Sequence, residues 1–152
     1  MLRDPTLVPL SQQHHNGLAL CVLVDRALSR DDSEESVRKQ AARIVETFGI
    51  EIANHFELEE QVLFPAIVER LGPYPMVDDL LADHARLREL VAALNTAPGR
   101  DTIDEFTALL RQHIRREENE LFQDIQARLP RDVLEAAGAE IDARAVRVCI
   151  LP

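Results

Sequence analysis

The sequence predicts an all-α fold: an up-down antiparallel four-helix bundle followed by a short extra C-terminal helix. Three observations lead there. Apolar residues recur at three- and four-residue steps through four long stretches, the period of a half-buried helix. The breaks between stretches are roughly four to seven residues long, which suits antiparallel neighbours. Glycine is scarce at 5 of 152 residues, tryptophan is absent and aromatics are 4%, a composition that favours helices over a β-sandwich. The length suits one domain spanning residues 1–152, with the bundle core at about 10–129 and the C-terminal helix and tail at 130–152.

Met1 to Leu10, with Pro5 and Pro9, reads as an extended arm. The first helix starts near Ser11, where His14, Leu18, Cys21, Val24 and Leu28 continue a stripe begun by Leu10, and the polar run Ser29 to Ser33 ends it. Asp32 with Glu35 three residues on has the form of a capping box, so a second helix begins there. Its stripe runs Val37, Ala41, Ile44, Phe48, Ile52, His55, Phe56, Glu59, Leu63, Ile67 and Leu71, and Pro65 within it predicts a kink. Gly72-Pro73-Tyr74-Pro75 is the stop. The third helix carries Val77, Leu80, Leu81, His84, Leu87, Val91 and Leu94 and closes at Pro98-Gly99. Asp101 or Thr102 caps the fourth, which carries Ile103, Phe106, Leu109, Leu110, His113, Glu117, Leu121, Phe122 and Ile125. Pro130 ends it and opens a fifth, short helix from Asp132 to about Ala143; the tail Ala145 to Leu151 has no assignable pattern.

Charge narrows the partners. A net charge of −10 repels phosphate backbones and anionic lipid headgroups, so neither nucleic acid nor a membrane surface is expected as a partner. The longest fully apolar run, Leu18 to Val24, falls far short of the ~20 residues that span a bilayer. The N-terminus lacks the apolar stretch of a signal peptide. Two cysteines, Cys21 and Cys149, do not make a disulfide framework, and the expectation is a reduced, cytoplasmic protein.

The chemistry lies in an internal repeat. His55-Phe56-Glu57-Leu58-Glu59-Glu60-Gln61-Val62-Leu63-Phe64 aligns with His113-Ile114-Arg115-Arg116-Glu117-Glu118-Asn119-Glu120-Leu121-Phe122, offset by 58 residues. Residues four apart share a helix face, so His55 projects with Glu59 and His113 with Glu117. Each pair lies on the apolar face, and the two helices are diagonal partners in an up-down bundle. A single such pair is commonly a surface ion pair. Two repeated pairs turned into one core are different, because a buried carboxylate needs a counter-charge, and a metal cation is the simplest one. His84 adds an imidazole from the third helix. On the first helix His14 shares the apolar stripe and His15, about 100° away, shares a more polar one; His14 is preferred and His15 stays an alternative. Rises of ~1.5 Å per residue place His84 and His113 at matching depths, roughly 16 and 18 Å from the ends that join their helices. Glu57, Glu60, Glu118 and Glu120 read as a solvated face, with Glu60 or Glu118 able to reach inward, and Cys21 reads as a small core residue.

These residues resemble the hemerythrin-like, HHE cation-binding family, over roughly Leu10 to Arg128. The resemblance rests on His14 (or His15), His55 with Glu59, His84, and His113 with Glu117, and on the flanks HFELEEQVLFP and HIRREENELF. It implies a non-haem di-iron centre with Glu59 and Glu117 bridging, His14 and His55 on one iron, and His84 and His113 on the other. It further implies binding of O2, NO or a small anion at an open iron position. Oxygen carriers of the family have a second histidine one turn along the third helix, where this chain has Leu80 and Arg88. Six clear ligands remain, and water, Glu60, Glu118 or His15 are candidates for the seventh place. Imidazole and carboxylate ligands suit iron, with manganese or zinc as alternatives.

Other chemistries fail on spacing. A ferritin-like centre needs Glu three residues before His, where this chain has Ile52, Leu81 and Leu110. No His-Glu-x-x-His is present. Three readings remain: a small-ligand binding protein for sensing, scavenging or iron/oxygen handling; an enzyme that uses the same centre to reduce NO or peroxide or to deliver iron; and a metal-free helical interaction module.

Overall fold

A computed structural model describes residues 2–147. Cys149 and the end of the tail lie outside the described residues. Among those residues there is no strand, and no helix is long and apolar enough to cross a membrane.

The first helix starts earlier than its stripe suggested. A 3₁₀ turn, Pro5–Leu7, runs directly into Val8–Arg30, so most of the expected arm is helical. Both prolines fall in first turns, where a missing N–H costs nothing. The side chain of Asp4 accepts hydrogen bonds from the Thr6 N–H at 3.0 Å and the Thr6 hydroxyl at 2.6 Å, which caps the turn. Arg131 of the fifth helix contacts the same carboxylate at 2.6 Å and holds its pKa well below the usual carboxylate range. The cap of the second helix is Ser33, not Asp32: its hydroxyl accepts the Ser36 N–H at 3.2 Å, while Asp31 accepts the Ser33 N–H. Three neighbouring residues with capping side chains compete here, and backbone direction selects one.

The second bundle helix is continuous from Glu34 to Leu71 but changes pitch. Glu34–Thr47, Ala53–Leu58 and Phe64–Leu71 are α-helical; Phe48–Ile52 and Glu59–Leu63 are π-helical turns. Pro65 follows the second of these turns and sits in the first turn of the next α segment, so the wide turn absorbs its missing donor. Gly72, with φ 80°, then ends the helix in a conformation that side-chain-bearing residues rarely adopt. The third helix is Pro75–Thr96. The fourth is Arg100–Arg116, a π-helical turn Glu117–Leu121, and Phe122–Arg128. Its N-cap position is Gly99, with no side-chain cap; Asp101 lies in the first turn, where its charge suits the helix dipole. The fifth helix is Arg131–Arg144.

Each of the first four helices packs on its two sequence neighbours in a closed ring, so the first and third, and the second and fourth, are diagonal. Two apolar clusters fill the bundle. One gathers Leu20, Cys21, Val24, Ile44, Phe56, Leu87, Phe106 and Leu110. The other gathers Leu10, Leu58, Leu63, Phe64, Leu80, Leu121, Phe122 and Ile125, and is closed by Leu134, Ala137 and Ile141 of the fifth helix. Fully buried side chains such as Phe56, Phe106 and Phe122 each contribute about 1.5–3 kcal/mol relative to exposure. Gly138 lets the fifth helix approach the chain start, because a Cβ there would stand 2.5 Å from the Thr6 Cβ. Cys21 is a core residue, and burial pushes its thiol up to about 11.

Candidate metal centre

Between the two apolar clusters lies a layer of buried polar side chains. Glu59, His84, His113 and Glu117 are wholly buried, and His14 and His55 are 3% and 4% exposed. His15 is exposed on an outer groove beside Arg3 and Arg147, and the structure does not bring it to this layer. The 100° step between adjacent helical residues decides this, because Leu10, Gly17 and Cys21 turn the His14 face inward.

All four imidazoles aim Nε2 at the two carboxylates. His84 Nε2 is 3.0 Å from Glu59 Oε1, and His55 Nε2 is 3.5 Å from the same atom. Glu117 Oε1 lies 3.0 Å from both His14 Nε2 and His113 Nε2, and 3.7 Å from His55 Nε2. The rings pair, with centroids 4.5 Å apart for His14 and His55 and 5.0 Å for His84 and His113. Two sets of donor atoms result, each within 4.8 Å: His14, His55, Glu59 and Glu117, and Glu59, His84 and His113. Glu59 belongs to both, and Glu117 touches His113 of the second.

The local helix geometry serves this convergence. Glu59 and Glu117 each open a π-helical turn, the Glu59 carbonyl accepting the Phe64 N–H and the Glu117 carbonyl the Phe122 N–H. Such wide turns re-aim side chains within an otherwise regular helix. Phenylalanines of the repeat wall the site: Phe64 and Phe56 both stack on His84, at 5.8 and 3.8 Å, and Phe122 stacks on His14 at 5.5 Å.

Each Nδ1 faces a residue of the neighbouring helix. His55 Nδ1 meets Gln13 Oε1 at 2.9 Å, His84 Nδ1 meets Glu60 Oε2 at 2.7 Å, His113 Nδ1 meets Asp83 Oδ2 at 3.0 Å, and His14 Nδ1 lies 3.3 Å from Glu118 Oε2. Glu60 and Glu118, expected on a solvated face but able to reach inward, are half-buried and do turn inward, where they back imidazoles. Glu57 and Glu120 are exposed, as expected. Gln13 and Asp83 escaped the sequence reading. Their signal was adjacency: all four backing residues stand next to a cluster residue, and a 100° step from an inward position points at the adjoining helix.

Protons hold this arrangement together when no cation is bound. Burial disfavours a charged His55, but the carboxylates of Glu59 and Glu117 overcome it and raise its pKa to about 9. His113 is raised well above its ordinary value against burial by Glu117, then by Asp83. Glu117 is held well below the ordinary carboxylate value, burial being outweighed by His113. Glu59 is lowered less, because burial and Glu117 both oppose the pull of His55. Even so, His55 Nε2, His113 Nε2, Glu59 Oε2 and Glu117 Oε2 are buried without a hydrogen-bond partner. Atoms left so in a core are costly unless something else binds them, and imidazole plus carboxylate is a donor set for divalent transition metals.

A cavity of about 20 Å³ adjoins the layer, lined by His14, His55, His113, Gly17, Phe56, Leu110 and Ile114. That volume holds about one water molecule. Glu51, 3% exposed, stands at its edge and takes hydrogen bonds from Asn16 at 3.1 and 3.2 Å. Burial raises its pKa. No motif or spacing in the sequence marks Glu51.

The sequence model of one family, described as the hemerythrin HHE cation binding domain, matches residues 8–125, most of the chain. Comparison with curated proteins and with solved structures returned no match.

Proposed function

The chain belongs to the hemerythrin HHE cation-binding domain family, and we propose that its central layer holds two iron ions and presents them to O2, NO or a small anion, for sensing, scavenging or iron/oxygen handling. His14 and His55 would hold one ion and His84 and His113 the other, with Glu59 and Glu117 shared between them. One observation carries this reading: two donor sets that share Glu59, with the second carboxylate oxygen of both Glu59 and Glu117 buried and unpartnered among the imidazoles. Iron would supply reversible redox change and an open coordination place; manganese or zinc would fit the same donors. The protein's part is to exclude water with Phe56, Phe64 and Phe122, to fix each imidazole through its Nδ1, and to keep the small cavity beside His14 and His55. A metal-free helical module would leave the second oxygens of Glu59 and Glu117 unsatisfied, which disfavours it.

A second reading, reduction of NO or peroxide at the same centre, is favoured by Glu51, because such reductions consume protons and Glu51 is a buried acid at the cavity edge. Elemental analysis with an absorption spectrum before and after azide tests the first reading. About two irons per chain and an azide-dependent band are expected; protein purified from iron-supplemented cells without transition metal overturns it. Turnover of NO or H2O2 separates the second reading from the first.

A further inference from the structure

The geometry points to two unequal cation positions: the His84–His113 position binds its ion more tightly and fills first, and the His14–His55 position is the weaker, exchangeable one. The inference rests on the two-ion reading above and concerns the residues that back the ligands.

The four backing residues form a ring around the bundle. Gln13 of the first helix backs His55 of the second; Glu60 of the second backs His84 of the third; Asp83 of the third backs His113 of the fourth; Glu118 of the fourth approaches His14 of the first. The ring follows the pseudo-twofold of the sequence repeat. Glu60 and Glu118 are equivalent at an offset of 58, and Gln13 and Asp83 each directly precede the histidine of their helix. The symmetry breaks at one pair: an amide stands where its counterpart is a carboxylate.

This break changes donor strength. With Nε2 turned to the centre, Nδ1 carries the proton and donates outward; an imidazole that donates to a carboxylate is a more basic metal ligand than one that donates to an amide. At the His84–His113 position both partners are carboxylates within hydrogen-bond distance. Glu60 is itself held by a two-point contact from Arg88, at 2.8 and 3.0 Å, which fixes its aim. At the other position His55 has the neutral Gln13. His14 Nδ1 sits 3.3 Å from Glu118 without an aligned hydrogen bond, and that oxygen also serves the Ser11 hydroxyl at 2.8 Å. Both imidazoles of this position line the cavity, against His113 alone of the other, so its ion is the one nearer to exchange.

There is a structural reason for the amide. Gln13 accepts from His55 and at the same time donates through Nε2 to Asn54 Oδ1 at 2.9 Å and to the Val146 carbonyl at 3.1 Å. A carboxylate would lose both donations and face two acceptors. Closing the segment after the fifth helix onto the bundle therefore requires the weaker imidazole partner.

The test is stepwise loading of the metal-free protein with ferrous ion under anaerobic conditions, followed by calorimetry, and with cobalt(II), followed by absorption. Two steps at least tenfold apart are expected. Asp83→Asn and Glu60→Gln should weaken the tighter step by about 10–100-fold and leave the other in place. Asp83 is 20% exposed, so its amide variant is expected to fold. Gln13→Glu should tighten the weaker step, a gain that structural damage does not produce. Two equal steps, or an Asp83→Asn effect on the weaker step, overturn the ordering while leaving the two-ion reading intact. Failure to bind any metal overturns both.

Discussion

Glu59 and Glu117 stand 58 residues apart, each at the first position of a π-helical turn, and each turns one carboxylate oxygen onto imidazoles from two or more helices while its second oxygen is buried and unpartnered. The wide turn and the buried acid recur together in both halves of the bundle. The distortion thus belongs to the site, and Pro65, present in one half alone, is not its cause.

Removing either acid should therefore do two things. Glu59→Ala and Glu117→Ala are each expected to lower bound iron from about two per chain to one or fewer, measured by elemental analysis. In the metal-free protein each should also cost about 3–5 kcal/mol, since protonated imidazoles lose their buried partner; chemical denaturation measures this. Full metal content in both variants would show that neither carboxylate is shared.

The metal-free protein should have a defined pH window. His55 has a folded pKa of about 9 against an ordinary value of 6.5. A raised histidine stabilises the fold fully below 6.5 and loses that contribution as pH rises through about 9. Glu117, held well below 4.5, stabilises above 4.5 and loses that contribution as pH falls through its folded value. Thermal unfolding should thus be highest between pH 4.5 and 6.5 and decline towards 9. Metal loading reverses the alkaline limb, because cations replace the protons and bind more tightly as pH rises. A flat melting temperature from pH 6.5 to 9 in the metal-free protein would contradict the charged imidazoles.

Gly17 keeps the cavity open. A Cβ there would meet Ile114 Cδ1 at 3.2 Å and Leu110 Cδ2 at 3.8 Å, so Gly17→Ala is tolerated after a small shift of the isoleucine. Metal content is expected to stay unchanged while azide affinity falls several-fold. Equal azide titrations would place the ligand elsewhere.

Asn54 fastens the segment after the fifth helix. Its Oδ1 accepts the Val146 N–H at 2.9 Å and its Nδ2 donates to the Arg144 carbonyl at 3.1 Å. Asn54→Ala removes both and the bond from Gln13, for an expected loss of about 1–3 kcal/mol. Amide hydrogen exchange should speed up at Val146, with the four bundle helices still protected. Unchanged exchange at Val146 would show that the fifth helix alone holds the segment.

The stripes of Leu, Ile, Val and Phe located the helices within a few residues. They failed at ends, where Pro5 and Pro9 look like breakers yet sit harmlessly in first turns, and where Asp31, Asp32 and Ser33 are all able to cap. They favoured His14 over His15 without excluding the latter, since a stripe several residues wide tolerates either neighbour; the packing buries His14 and exposes His15.

By itself the sequence determined that two diagonal helices each carry a buried imidazole–acid pair, because a four-residue step on a helix is a local property of one chain segment. Which residues back those imidazoles, that Gln13 serves the half that Asp83 does not, and that a small cavity opens beside Gly17, were decided only in the tertiary structure. Those contacts run between helices, and they depend on the rotation and height at which the two apolar clusters lock the helices together.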